Sequence, residues 1–273
     1  MERTGMDPAR AESGAGADAG TEAEALAAAG LCRFAGMAWS EVLQGRLRRA
    51  APLLAGAGAA LRAAPRLEDP FWSALIDAVT VQETRLFRAA PQLLALPALV
   101  FPALRARGGP LRLLSAGCAT GEEPWSLAVL AAAEGLAASV TGFDLCRPAL
   151  ERAATGLFDP GPPDPLREVP PAYHGFFRPG PAGLRARPGP AVEVAVARAN
   201  LLDLPPAAAP FDVILCRNVL IYLTEEARAA VLAGLCARLA PGGALLLGAT
   251  DRPPPGLGLR LWSEAHPALW RLS

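Results

Sequence analysis

The stretch from Leu111 onward limits the fold more than any other part of the chain. It alternates runs that read as buried strands with runs that read as helices. Leu111-Arg112-Leu113-Leu114 predicts a short strand. A glycine-bearing turn, Ser115 to Gly121, follows, and then a helix from about Glu123 to Leu136. Pro124 falls in the first turn of that helix, where a missing N–H is tolerated. Ser139 to Phe143 predicts a second strand ending at Asp144, with another helix starting near Pro148. Phe211 to Cys216 predicts a further buried strand. Thr224 is then a candidate N-cap, and Glu225 and Glu226 complement the helix dipole. Pro241-Gly242-Gly243 stops this helix, and Ala244 to Leu247 is the next strand. Such alternation folds as an α/β parallel sheet with right-handed crossovers.

The rest of the chain has a different texture. Residues 1–30 are rich in Ala, Gly, Glu and Asp and hold no aromatic residue, so a disordered or partly helical tail is expected. Residues 31–104 read as a small all-helical domain cut into short helices by Pro52, Pro65, Pro70, Pro91, Pro97 and Pro102. Trp39, Val42, Leu43 and Leu47 recur at helical spacing and predict one apolar face. The sheet domain is expected over 105–273. It is interrupted at about 159–196 by a Pro- and Gly-rich stretch with Tyr173, Phe176 and Phe177. The alternating runs Gly183 to Arg187 and Val192 to Val196 predict a small antiparallel β insertion there.

Composition removes several chemistries. The chain has 26 cationic residues against 26 acidic ones, a net charge of zero, which argues against a bulk nucleic-acid binder. Every cation is arginine, so lysine Schiff-base and phosphate-loop lysine mechanisms are excluded. Five scattered cysteines and two histidines form neither a disulfide framework nor a metal motif, and the expectation is no metal. The longest apolar stretch, Ala89 to Leu104, is broken by Pro91, Gln92, Pro97 and Pro102, so no membrane insertion is expected. The N-terminus lacks the pattern of a secretory signal, and a cytoplasmic protein is the expectation.

Three features fall where an open α/β sheet places its ligand, at the carboxyl ends of the strands. The first is the turn Ser115-Ala116-Gly117-Cys118-Ala119-Thr120-Gly121-Glu122-Glu123. Gly117 and Gly121 permit close backbone approach, and the acidic tail suits a cationic or hydroxyl-bearing ligand better than a phosphate. The second is Asp144, about 20 residues on, which by position serves either as acceptor for ribose hydroxyls or as a helix cap. The third is Cys216-Arg217-Asn218-Val219-Leu220-Ile221-Tyr222, where polar groups end a core strand and need partners.

The strings SAGCATGEEPWSLA, FDLCRPALERAATGLF, FDVILCRNVLIYL and RLAPGGALLLGATD, together with VTVQETRLFR at Val79 to Arg88, resemble successive motifs of the CheR family. These are S-adenosylmethionine-dependent glutamate methyltransferases of chemotaxis receptors, and the resemblance spans about Phe71 to Asp251. It implies a class I, Rossmann-like methyltransferase sheet with a small N-terminal helical domain and a β insertion. It implies S-adenosylmethionine as cofactor, S-adenosylhomocysteine as product, and the cytoplasmic domain of a methyl-accepting receptor as partner. Carried over by position, Gln82, Thr84, Arg88, Gly117, Glu122, Asp144, Asn200, Leu201, Arg217 and Asn218 face the cofactor. Thr84 and Arg88 reach in from the helical domain, and Arg88 and Tyr222 orient the acceptor carboxylate. In some members the insertion docks a receptor tail peptide. This chain departs from the pattern at Gln82 (usually Asn), Leu86 (usually Phe) and Thr250-Asp251 (often Ser-Glu). Two other readings are a methyltransferase on another substrate and an inactive cofactor-binding signalling module.

Overall fold

The structure, a computed structural model, describes the backbone of residues 8–273 and the side chains of residues 21–273. The chain divides into two compact units, one up to Thr80 and one from Val81 to Ser273.

The first unit is all helical: α1 (Pro8–Ala35), α2 (Glu41–Arg49), α3 (Ala51–Leu54), α4 (Gly58–Arg62) and α5 (Pro70–Val79). The first seven residues of the expected disordered or partly helical tail lie outside the described residues. The remainder begins α1, which is anchored because Ala27 and Leu31 are fully buried. Ser40 caps α2 by accepting from the Leu43 amide at 3.3 Å. Leu43 and Leu47 of α2 are buried as expected, whereas Trp39 and Val42 are 57% and 48% exposed, so the apolar face is narrower than the spacing predicts. Asp69 caps α5 through the Trp72 amide at 3.0 Å, Pro70 sits in its first turn, and Trp72, Leu75, Ile76 and Val79 form its buried face.

The second unit opens with an irregular segment at 81–85 and two short helices, α6 (Ala90–Ala95) and α7 (Phe101–Arg105), joined by a π-helical turn at Leu96–Val100. Next come β1 (Leu111–Ala116), α8 (Glu122–Ala133), β2 (Ala138–Asp144), α9 (Arg147–Thr155), β3 (Leu157–Phe158), β4 (Phe177–Gly180), β5 (Gly183–Ala186), β6 (Val192–Arg198), β7 (Phe211–Cys216), α10 (Glu225–Cys236), β8 (Leu239–Leu247), β9 (Leu259–Leu261) and β10 (Leu269–Leu272). The main sheet has seven strands in the order β6-β2-β1-β7-β8-β10-β9. Its first five are parallel, and β10 runs antiparallel to both neighbours. The Ser115-to-Gly121 turn therefore sits at the middle of the carboxyl rim, flanked by the ends of β2 and β7.

Two expectations about boundaries differ from what is observed. The helices at 90–105 do not close the helical domain. Leu86, Phe87, Leu93, Leu96, Val100, Phe101 and Leu104 share one buried core with β1, β7 and α8, so the units part after Thr80 rather than after residue 104. Burial of their apolar face decides this, and periodicity alone does not say against what a helix packs. The insertion also ends earlier than 196. β3, β5 and β4 make the three-stranded antiparallel sheet, while Val192–Arg198 is β6, paired in parallel with β2 at the edge of the main sheet. Four cysteines are buried and Cys32 is exposed. Among the described residues no helix is long and apolar enough to cross a membrane.

Candidate active site

The site is built on three adjacent strand ends. β1 pairs with β2 through Ala116–Phe143 and with β7 through Ser115–Leu215, so the segments after each strand converge on one rim. Leaving β1, the chain turns at Gly117 (φ +84°), and a Cβ there would collide with the Val219 side chain from the β7 loop. Glycine permits both the left-handed backbone and this contact. The Gly117 and Cys118 amides donate to the Phe143 carbonyl at 2.8 and 2.9 Å, which ties the turn to β2.

Asp144 is the acceptor at the centre of the turn. Its Oδ2 accepts from the Ala119 amide at 2.8 Å, and its Oδ1 accepts from the Cys146 amide at 2.9 Å, at the start of α9. The Gln82 side chain also hydrogen-bonds to this carboxylate. The Leu145 amide donates to it as well, so Asp144 secures both the turn after β1 and the entry to α9, which is the helix-cap reading. Burial pushes its pKa above the usual carboxylate value against the pull of these hydrogen bonds. Gln82 Oε1 is buried and has no partner.

Beside it, Glu122 opens α8 with its Oε2 accepting from Thr120 Oγ1 at 2.7 Å, and burial raises its pKa. Asn200, 6% exposed, follows β6. Its Oδ1 accepts from the Leu202 amide at 3.1 Å, and the preceding Ala199 amide donates to the Asp144 carbonyl at 3.0 Å. Asn218 takes φ +58° after β7, next to Gly248 at the end of β8. A Cβ on Gly248 would lie 2.5 Å from Asp251 Oδ2, an oxygen that is buried without a partner.

A second network holds the rim together. Ser115, fully buried in β1, donates to Glu123 Oε1 at 2.7 Å. Glu123 Oε2 accepts from Arg217 Nη1 at 3.2 Å, with side-chain exposures of 13% and 2%. The other arm of Arg217 donates to the Arg88 carbonyl. The 81–89 segment is therefore pinned to the end of β7 by Arg217 and to α8 by the Phe87 amide, which donates to Ser126 Oγ at 2.9 Å. The insertion holds it too: Arg85 pairs with Glu168 at 2.8 Å, and Phe87 stacks on Tyr173 with centroids 5.1 Å apart.

The structure brings Gln82, Gly117, Glu122, Asp144, Asn200, Arg217 and Asn218 to one rim. Arg88 joins by its backbone. Its half-buried guanidinium donates to the Glu83 carbonyl at 2.7 Å and lies 3.6 Å from the Glu83 carboxylate. Thr84, Leu201 and Tyr222 are placed by chain adjacency alone, next to this cluster and half-buried. Thr84 and Arg88 belong to the second unit, not to the helical domain. Sequence reasoning missed Glu123, Ser115 and Asp251 as site residues. A signal existed for the first two: a serine closing an apolar strand and an acid turned about 100° from Glu122 on the helix both point inward and need partners.

A parallel sheet in this strand order, with a glycine turn after β1, an acid ending β2 and one antiparallel strand beside the edge, is that of a class I S-adenosylmethionine-dependent methyltransferase. Residues 82–256 match the family described as CheR methyltransferase, SAM binding domain, and the chain belongs to that family. Chemotaxis protein methyltransferase 1 of Vibrio cholerae is 31% identical to it over 191 residues, which is 65% of this chain and 67% of that protein. The chemotaxis protein methyltransferase of Salmonella typhimurium is 34% identical over 197 residues, 66% of this chain and 64% of that protein. A probable biofilm formation methyltransferase, WspC of Pseudomonas aeruginosa, is 31% identical over 213 residues, 67% of this chain. The chain spans about half (47%) of that relative's length.

Proposed function

We propose that this chain transfers a methyl group from S-adenosylmethionine to glutamate side chains in the cytoplasmic domain of a methyl-accepting chemotaxis receptor. The products are glutamate methyl esters and S-adenosylhomocysteine, and the reaction takes place in the cytoplasm. One observation carries the reading: Asp144, Gln82 and the Gly117 turn gather at one carboxyl rim, and the 81–89 segment that bears Arg88 is pinned there by Arg217 and Ser126. The family and the relatives named as chemotaxis methyltransferases support the acceptor class.

The residues fit the cofactor. Gln82 Oε1 is buried at the rim without a partner, and Asp144 stands at the end of β2 as the acceptor that ribose hydroxyls would meet. Gln82, Gly117, Asp144, Asn200 and Leu201 would hold the nucleoside, and Thr84, Glu122, Arg217 and Asn218 the amino-acid end. When bound, the cofactor supplies an electrophilic methyl group on a sulfonium. Arg88 and Tyr222 orient the acceptor carboxylate. That carboxylate is ionised near neutral pH, given a reference pKa of about 4.3, so the transfer calls for no general base and no metal. Attack joins opposite charges that shrink together, so the main task of the site is alignment, a factor that reaches ~7–11 kcal/mol in ideal cases. The Glu83 contacts hold the Arg88 guanidinium without burying it, which leaves the carboxylate nucleophilic.

The test incubates the chain with labelled cofactor and receptor cytoplasmic fragments. Base-labile methyl esters on the fragment are expected. In Arg88→Ala they disappear while S-adenosylhomocysteine affinity stays within a few-fold, because the Arg88 carbonyl that Arg217 uses is retained. Label in a nucleic acid or metabolite, or cofactor binding without transfer to any fragment, refutes the proposal.

A further inference from the structure

On the rim opposite the cofactor site, at the amino ends of the parallel strands, three arginines converge. Arg271 on β10 is directly paired with Arg260 on β9, so the two cations project from the same face. Arg107, just before β1, comes in from the other side. The meeting point is Gly242 near the start of β8, where a Cβ would collide with Arg107 Nη2 and lie 3.3 Å from Arg271 Nη2. Gly242 has φ +66°, and the pairing of β7 with β8 is interrupted here, between Phe211 and Val213. The bulge re-aims the backbone and keeps the space open for the guanidinium groups. Arg107, Gly242, Arg260, Trp262, Arg271 and Ser273 line a single concavity. The Arg271 guanidinium lies over the Trp262 ring, 5.3 Å from its centroid, and this fixes its orientation.

Among the described residues none of these three arginines has a carboxylate or carbonyl partner; every ion pair of the second unit lies elsewhere. Like charges directly opposed across a strand pair are destabilising, and here a third is added. The chain as a whole is neutral, so this is a local concentration of positive charge and not a consequence of composition. Arginine forks match the oxygen geometry of phosphate. A single carboxylate neutralises one of the three cations, whereas a phosphate or diphosphate neutralises two or more and offers each fork an oxygen.

We propose that the concavity around Gly242 binds a phosphate-bearing ligand through Arg107, Arg260 and Arg271. The proposal is independent of the methyl-transfer reaction, because none of these residues belongs to the carboxyl rim.

The probe is inorganic pyrophosphate, added to the full chain at constant ionic strength and followed by calorimetry and thermal unfolding. Saturable binding and a rise in Tm are expected. Arg260→Gln weakens binding at least tenfold, and Arg271→Gln does the same. Without pyrophosphate, Arg260→Gln unfolds at a Tm equal to or above that of the parent, because a repulsion is removed. Arg260 is the deciding position, since Arg271 also holds Trp262. Vesicles of phosphatidylcholine with and without phosphatidylglycerol form a second arm. Pyrophosphate binding with vesicles ignored assigns a soluble phosphate ligand. Binding of both, lost together in Arg260→Gln, assigns a lipid headgroup. No saturable pyrophosphate binding, or binding that Arg260→Gln leaves unchanged, overturns the proposal whatever the vesicles do.

Discussion

Removing either partner of the Glu123–Arg217 pair has different consequences, and the difference tests how the rim is held. Both side chains are almost fully enclosed, and Ser115 donates to the same carboxylate. Breaking a buried pair by deleting one partner costs about 3–5 kcal/mol, since the other charge is left without compensation. For a unit of this size roughly 2–4 °C of Tm accompanies each kcal/mol, which gives a loss of about 6–20 °C. Glu123→Gln leaves an arginine that cannot deprotonate and removes the raised carboxyl through which the parent itself loses stability as pH rises, so its deficit does not grow with pH. Arg217→Met leaves a carboxyl that can take up a proton. Burial already pushes the Glu123 pKa up, with the Arg217 charge opposing it, and loss of Arg217 raises it further. An acid with a raised folded-state pKa contributes its stability below the unfolded value, about 4.3, and loses it as pH rises through the folded value. The deficit of Arg217→Met therefore grows as pH rises, whereas that of Glu123→Gln does not. Thermal unfolding of both variants and the parent between pH 5 and 8 is the measurement. A shift under about 2 °C for Glu123→Gln, or parallel pH profiles for the two variants, would show that the pair is solvated and that the network does not fix the rim.

Asp144→Asn keeps one amide acceptor and loses the charge, so S-adenosylhomocysteine affinity is expected to fall at least tenfold by calorimetry while the chain still folds. The raised pKa values of Asp144 and Glu122 move in the same direction on acidification: cofactor affinity declines as pH falls, beginning above the pH at which exposed carboxylates protonate. In the same range these two groups favour the unliganded fold, and affinity and stability then have opposite slopes. Equal slopes would contradict the assignment. Gly117→Ala is expected to lose about 1–3 kcal/mol from the left-handed backbone alone. A second change, Val219→Ala, relieves the side-chain collision but not the backbone strain, so unfolding of the double variant shows partial recovery.

Local pattern was enough for the sheet strands, the glycine turn and the acid after β2, because each depends on short-range rules. Buried strands show as apolar runs, positive φ as glycine, and a rim acid by its spacing from the turn. Gln82, Gly117, Glu122, Asp144, Asn200, Arg217 and Asn218 could be named from motifs in order, and the fold gathers them because parallel strands end on one side. Partnership could not be read this way. Glu123 is adjacent to Glu122 in the chain, yet only the approach of β7 gives it Arg217, 94 residues away. Gln82 meets Asp144 only because the 81–89 segment crosses the rim. The helices at 90–105 carry the same periodicity whichever unit they join, and burial against β1, β7 and α8 assigns them to the second. Val192–Arg198 reads as alternating strand in either sheet, and pairing with β2 makes it an edge of the main one. Periodicity specifies which face of an element is buried. Which neighbour buries it, and which charges are enclosed together, follows from long-range contacts whose free energy exists only once the chain has closed on itself.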